Sequence, residues 1–343
     1  MKAVLFYQYG GPEALVLEEP PKVHAEAGQV VIKVMACGVN HLDIWVRQGH
    51  PAYPVRFPHI LGSDVAGIVV QVGANVSPDW LGVSVLAAPG LSCFHCRFCL
   101  AGKDNLCEQY RILGASTDGG YAEFSVVPAT QLIRIPEDIP FEIAAAYPLT
   151  FLTAWHMLMT RARLGPDQTL LVLAGGSGIG IAAIEIGRFS GAHVITTAST
   201  EAKRDRALLA GAERVILYDD QSDFSKEVMA WTEGYGADVV LEHVGAASFD
   251  RSLRSLAKGG TLVTCGATTG AEVGINLRFL FSREISILGA MMGTRSELLE
   301  VTRLIGEKRL CPIIDSVHPL SSAEAVHRKM ANRDHFGKFI LVP

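Results

Sequence analysis

The sequence has no excess of basic residues: 30 Lys and Arg against 35 Asp and Glu leave a formal charge of −5. That excludes the cationic surface field that holds nucleic acid or an anionic membrane. It also lacks an apolar run fit to span a bilayer. The two longest uncharged stretches are residues 143–160, broken by Pro148, His156 and threonines, and residues 169–184, rich in glycine. Neither reads as a membrane span. The opening "MKAVLFYQYGGPEA" has one lysine and a short apolar run before Gly10-Gly11-Pro12. It reads as a first strand and turn, not a secretory leader, and a cytoplasmic protein is expected. Internal repeats and low-complexity linkers are missing too. Charged residues are few, 19% against 49% hydrophobic, which suits a well-buried globular enzyme rather than a disordered chain. At 343 residues, two domains are expected.

Cysteine is sparse outside one place. Of seven cysteines, Cys37, Cys265 and Cys311 are scattered and four crowd into "CFHCRFCLAGKDNLC", as Cys93, Cys96, Cys99 and Cys107. An odd number so distributed is not a secreted disulfide framework; reduced thiols and a metal are expected. Closely spaced thiolates on a looping chain supply the four soft ligands of tetrahedral zinc, and a zinc closed by four cysteines has no open position for substrate. Free thiols are the alternative. His95 sits inside the cluster as a bystander.

Two patterns divide the chain. Up to about residue 130, short Val-, Gly- and Pro-rich strands ("QVVIKVMA", "VAGIVVQVG", "VSVLAA", "AEFSVVP") mark a β-rich domain. From about residue 169, continuous β-branched strands ("TLLVLA", "HVITTA", "RVILY", "ADVVLE", "TLVTC", "ISILGA") alternate with helical segments. This predicts a parallel sheet covered on both faces. The tail from about 295 carries the amphipathic helix "SELLEVTRLIGEK", a turn, another helix and a last strand, "KFILVP". It is expected to return to the first domain.

Between the first strand and helix of the alternating region lie Gly175, Gly176, Gly178, Ile179 and Gly180. A diphosphate can lie against such a helix N-terminus, where free N–H groups and the macrodipole favour negative charge; a ligand-free tight junction is the alternative. An NAD site commonly has Asp or Glu at the end of the next strand, on the ribose hydroxyls. Here that position is Ala198, followed by Ser199, Lys203 and Arg204. A small residue with nearby cations favours NADPH over NADH, unless the two cations are only a solvated helix face.

These motifs, with "GGPEALVLEEP", "ACGVNHLDIWVRQG", "FPHILGSDVAGIVVQVG", "PLTFLTAWHML" and "FGKFILVP", resemble the medium-chain dehydrogenase/reductase superfamily over the whole length. The resemblance is to its quinone-oxidoreductase-like branch, which includes bacterial relatives labelled zinc-type alcohol dehydrogenases. It implies an α/β fold: a GroES-like β-rich catalytic domain, residues 1–149 and 295–343, with a structural-zinc lobe at about 90–110. A Rossmann doubly wound parallel sheet, residues 150–294, interrupts it as the cofactor domain. One structural Zn²⁺ per chain on the four clustered cysteines is implied. A homodimer or homotetramer is implied as well, since "ISILGA" resembles the edge strand that pairs across a two-fold axis.

In the family's zinc alcohol dehydrogenases a cysteine is expected at Asn40, a His–Glu pair at Ser63 and Asp64, and a cysteine near Leu149. The catalytic metal is therefore expected to be missing. The alternative is an unorthodox site using His41, His59 and Asp64, with Asp43 nearby, since imidazole and carboxylate suit zinc. Without a Lewis acid, hydride transfer favours a conjugated acceptor, a quinone or an α,β-unsaturated carbonyl, whose charge delocalises and can be held by hydrogen-bond donors. The candidate catalytic residues are Asn40 and Tyr53 as donors and His41 as proton source. Beside the dinucleotide the resemblance places Thr153, Val244, Gly245, Gly266, Ala267, Met291 and Lys338. A nucleotide-sensing or structural protein is the remaining reading.

Overall fold

Residues 1–218 and 222–343 are described in the computed structural model. The chain folds as two units. One comprises Met1–Leu149, Thr294–Lys308 and Pro312–Pro343; the other comprises Thr150–Gly293 with Arg309–Cys311. Arg309–Cys311 thus join the second unit although the rest of the tail belongs to the first.

In the first unit, β1 (Ala3–Phe6) is buried throughout and lies between β2 (Val16–Glu18) and, later in the chain, His59–Ile60. β3 (Gln29–Gly38) is rich in β-branched residues and mostly buried, and it runs into α1 (His41–Gln48). The helix begins where the Asn40 backbone N–H donates to Asp43 Oδ2 at 2.8 Å. It stops at Gly49, whose φ of 82° suits a residue without Cβ. β4 (His59–Ile60), β5 (Asp64–Val72) and β6 (Ser84–Ala87) follow. β7 (Gly90–Leu91) and β8 (Arg111–Ile112) form a two-stranded pair around the short helix α2 (Arg97–Leu100). β9 (Phe124–Pro128), β10 (Leu132–Arg134) and α3 (Phe141–Ala144) complete this stretch, and α4 (Pro148–Trp155) begins in it and continues into the second unit from Thr150.

The second unit is built as strand and helix in turn. β11 (Thr169–Val172), α5 (Gly178–Ser190), β12 (His193–Ala198), α6 (Glu201–Leu209) and β13 (Arg214–Leu217) make its first half. α7 (Phe224–Trp231), β14 (Ala237–Glu242), α8 (Phe249–Arg254), β15 (Leu256–Thr264), α9 (Leu277–Ser282) and β16 (Ser286–Gly289) make its second. All pairings are parallel, in the order β13-β12-β11-β14-β15-β16. This is the doubly wound order, and it reverses between β11 and β14. Leu171, Ile195, Val240 and Leu262 are fully buried within its core, as expected for strands covered on both faces.

The tail supplies α10 (Arg295–Gly306), β17 (Ile314–Pro319), α11 (Ala323–Ala331) and β18 (Lys338–Val342). β18 pairs with β3, closing the first unit's main sheet in the order β10-β6-β5-β3-β18-β17 with β9 also on β3. β17 was not legible in the sequence: "IDSVHP" is short, polar and ends in proline. Among the described residues no helix is long and apolar enough to cross a membrane.

Candidate active site

In the second unit the glycine-rich turn lies at the carboxyl end of central strand β11. Ser177 caps α5, its Oγ accepting from Gly180 N at 2.9 Å. A Cβ on Gly180 would stand 2.3 Å from the Ala174 carbonyl oxygen, and one on Gly175 2.2 Å from Thr196 Oγ1. Glycine therefore lets the helix start hard against the strands, and of its first N–H groups that of Gly180 is taken by the Ser177 cap. A dinucleotide fits this cradle: its pyrophosphate would lie against the α5 N-terminus, close to the backbone of Gly176, Gly178, Ile179 and Gly180.

β12 ends on buried Ala198, with no acid there. Ser199 is exposed and Lys203 lies in the first turn of α6. Arg204 is less available than its sequence position suggests. Its guanidinium pairs with Glu201 and, at 3.1 Å, with Asp205 on its own helix.

Past β14 and β15 the chain gathers Val244, Gly245, Gly266 and Ala267. Glu242 is fully buried and accepts from Val244 N at 3.1 Å, Gly245 N at 3.1 Å and Ser248 Oγ at 2.6 Å. Burial raises its pKa, while these donors oppose the rise. Gly245 has φ of 95°, and a Cβ there would meet the Gly270 carbonyl oxygen at 2.5 Å. Thr153 is buried, with Oγ1 3.8 Å from Met292 Sδ; Met291 is exposed. Sequence reading missed His243, whose Nε2 lies 2.9 Å from the Leu173 carbonyl oxygen and 3.5 Å from Ser177 Oγ.

In the first unit, β3, β5 and β18 bring Asn40, Asp64 and Lys338 together. Lys338 Nζ donates to Asp64 Oδ2 at 2.9 Å and to Asn40 Oδ1 at 2.5 Å. Asn40 Nδ2 donates to Asp64 Oδ2 at 2.8 Å, and Leu149 N to Asp64 Oδ1 at 2.8 Å. All three side chains are buried. Two expectations change. Asn40, expected as a donor to substrate, spends its oxygen and one amide hydrogen inside this cluster. Lys338, expected beside the dinucleotide, has its ammonium in a buried ion pair. Ser63, next to Asp64, is also buried.

The expected alternative metal set does not gather. His59 points its Nε2 at the Gly114 carbonyl oxygen, 3.1 Å away, and its Nδ1 at Asp118. Burial lowers its pKa. Asp64 is held by Lys338. His41 opens α1, half-buried, its ring edge-on to Trp45 at 5.2 Å. Trp45, His50 and Tyr53 continue this aromatic row, with centroids 6.0 and 5.6 Å apart. Tyr53 is half-buried, and desolvation raises its pKa.

Behind α1 runs a buried chain of polar groups. Asp43 Oδ2 accepts from Tyr121 Oη at 2.9 Å; Tyr121 Oη meets His327 Nε2 at 3.1 Å; His327 Nδ1 meets Arg47 Nη1 at 3.1 Å. The guanidinium can only donate, so the His327 proton sits on Nε2 and the ring is neutral. Burial and the adjacent Arg47 charge push His327 down to about 3. Burial pushes Asp43 up to about 6 against its hydrogen bonds.

Cys93, Cys96, Cys99 and Cys107 converge in the α2 lobe with all sulfurs within 4.8 Å of one another. Sγ–Sγ distances are 3.9 Å for Cys93–Cys99 and 3.6 Å for Cys96–Cys99. These are too long for disulfides and match the edge of about 3.8 Å set by a tetrahedron with 2.3 Å zinc–sulfur bonds. Backbone N–H groups of Cys93 and Gln109 point at Cys107 Sγ, each at 3.3 Å, and that of Cys96 points at Cys93 Sγ at 3.3 Å. Such donors favour thiolates, and Cys96 is lowered to about 6 by backbone N–H groups, that of Cys99 first. The residues fit zinc. Among the described residues this is the one cluster of three or more His, Cys, Asp or Glu side chains arranged to hold a metal.

A doubly wound sheet with a glycine cradle at its switch point, joined to a β-rich unit bearing a Cys₄ lobe, defines the class of two-domain nicotinamide-dependent oxidoreductases. Residues 26–137 match the family profile "Alcohol dehydrogenase GroES-like domain", and residues 178–307 match "Zinc-binding dehydrogenase". The chain is 31% identical to the "Crotonyl-CoA carboxylase/reductase" of Cereibacter sphaeroides, covering 96% of this chain and 83% of that one. It is 30% identical to the "Quinone oxidoreductase" of Mus musculus, covering 100% and 98%. A crystal structure described as an NAD-dependent alcohol dehydrogenase superposes with TM-score 0.95 at 40% identity over 100% of both chains. The protein belongs to the medium-chain dehydrogenase/reductase family and is an oxidoreductase of it.

Proposed function

We propose that this chain is an NADPH-dependent reductase of a quinone or an α,β-unsaturated carbonyl, working without a metal on the reacting oxygen and keeping one structural zinc per chain. The observation that carries the reading is the Asp64–Lys338 pair. The buried carboxylate beside Asn40 already has its cation, 2.9 Å away. A second cation on Asp64 would have to displace a lysine held by two acceptors.

The dinucleotide, when bound, supplies a hydride. On a conjugated acceptor the added electron pair spreads over an enolate or phenolate, which a neutral donor can stabilise. Tyr53 is the candidate donor, since its hydroxyl has no hydrogen-bond partner among the described residues. His41 is the candidate proton source; a proton returned to the reduced acceptor completes the two-electron reduction. NADPH preference is supported by Ala198 and Lys203. Reduced cysteines throughout support a cytoplasmic location, and the edge position of β16 supports a homodimer or homotetramer.

The test is steady-state NADPH oxidation across quinones and enones, run beside alcohol oxidation with NAD⁺ and NADP⁺. Turnover of a conjugated acceptor, with alcohols inert and one zinc per chain, is expected. The relative described as an alcohol dehydrogenase at 40% identity favours a second reading. Alcohol oxidation abolished by chelation, with a second metal per chain, would establish it. Dinucleotide binding without turnover of any acceptor would leave a nucleotide-sensing protein.

A further inference from the structure

His243 stands at the point where the second unit's strand order reverses. It follows Glu242, the last residue of β14, and its ring reaches across to the end of neighbouring β11. Nε2 lies 2.9 Å from the Leu173 carbonyl oxygen. A carbonyl oxygen only accepts, so Nε2 carries the hydrogen. Among the described residues no ion pair joins a carboxylate to the ring, and adjacent Glu242 is bound by Ser248 and by the Val244 and Gly245 N–H groups. Burial lowers the ring's pKa, so it is neutral at pH 7. Nδ1 is left as a lone pair on a half-buried residue, with no hydrogen-bond partner among the described residues. The same nitrogen that binds Leu173 lies 3.5 Å from Ser177 Oγ, inside the glycine cradle.

A lone pair cannot hold a phosphate oxygen; it needs a donor. We propose that His243 is a positioning residue for the dinucleotide, its Nδ1 accepting a hydrogen bond from a ribose hydroxyl while Nε2–H ties the end of β14 to the end of β11. In open α/β sheets the ligand lies in the crevice outside the strand carboxyl ends at the switch point, which is where this ring stands. The placement rests on the reading that the chain binds NAD(P)H. It adds a sugar contact that Ala198, at the end of β12, does not provide.

The test is ¹⁵N NMR of the histidine rings in the wild-type chain, titrated with NADPH and separately with inorganic pyrophosphate, His243 being assigned by its loss in His243→Gln. Binding is followed independently by NADPH fluorescence. Expected is a shift confined to the His243 Nδ1 signal on NADPH saturation, with Nε2 still protonated, and no such shift with pyrophosphate. His243→Leu raises the dinucleotide KM about five-fold, the scale of one neutral hydrogen bond; His243→Gln, which retains an acceptor, restores about half of the loss. Saturation with NADPH that leaves Nδ1 unmoved, or that converts the ring to imidazolium, overturns the proposal. No fluorescence change at all would instead count against dinucleotide binding itself.

Discussion

Lys338 Nζ lies 2.9 Å from Asp64 Oδ2 with both side chains out of water, at 5% and 0% exposure. The pair joins the last strand of the chain, β18, to the start of β5, with Asn40 bridging both partners. Removing one member of such a pair leaves an uncompensated buried charge, which costs about 3–5 kcal/mol. Lys338→Met and Asp64→Leu are each expected to destabilise on that scale. The double variant is expected to lose less than the sum, because no lone charge remains. Urea denaturation of the four proteins measures this, and strict additivity would show that the two groups are not coupled.

The Asp43–Tyr121–His327–Arg47 chain predicts two opposed pH dependences. Asp43 is raised from 3.8 to about 6, so between those values the folded state keeps a proton the unfolded state has lost. Its stability contribution therefore falls as pH rises through that window. His327 is lowered from 6.5 to about 3, so between those values the unfolded state binds a proton the folded state refuses. Its contribution falls as pH drops. Each slope is about 1.4 kcal/mol per pH unit, and they offset where the windows overlap. His327→Gln should unmask the Asp43 slope, with stability declining from about pH 4 to 6. Asp43→Asn should unmask the opposite one. Denaturation midpoints across pH 4–7 read both, and parallel profiles for the two variants would sink the assignment.

The proposed NADPH preference separates two neighbouring cations. Arg204 pairs with Glu201 and Asp205, and Lys203 lies in the first turn of α6, four positions after Ser199. Lys203→Ala is expected to raise the NADPH KM about ten-fold, the scale of a hydrogen bond to a charged group, leaving the NADH KM within two-fold. Arg204→Ala should do little to either. Initial-rate kinetics with both dinucleotides decide, and equal effects on NADPH and NADH would remove the 2′-phosphate from the account.

Local chemistry explains what was legible beforehand. Continuous β-branched strands and capped helices announced the parallel sheet, because both faces of each strand must be apolar there. Four cysteines at short spacing announced their own convergence, since a looping chain of that length brings them together without help from elsewhere. Asn40, Asp64 and Lys338 were out of reach for the opposite reason: Lys338 lies 298 residues from Asn40, and only the pairing of β18 with β3 shows that its ammonium is committed. His243 was passed over because a histidine after a strand has no motif of its own. Its meaning comes from Leu173 and Ser177, which sheet order places beside it.

The Cys₄ lobe predicts metal dependence confined to stability. Its sulfurs are spaced for zinc, and four thiolates leave no open coordination position. Elemental analysis should give one zinc per chain. Cys99→Ser should bind less and unfold earlier, because a structural zinc contributes folding free energy directly. The lobe is tied to α10 through Asp104, whose carboxylate accepts from Arg295 N at 3.0 Å, so its loss should loosen that junction. Amide exchange would then rise at residues 93–107 and at the α10 N-terminus before β11–β16. Uniform loosening of both units, or full stability after zinc removal, would contradict a structural metal held only by this lobe.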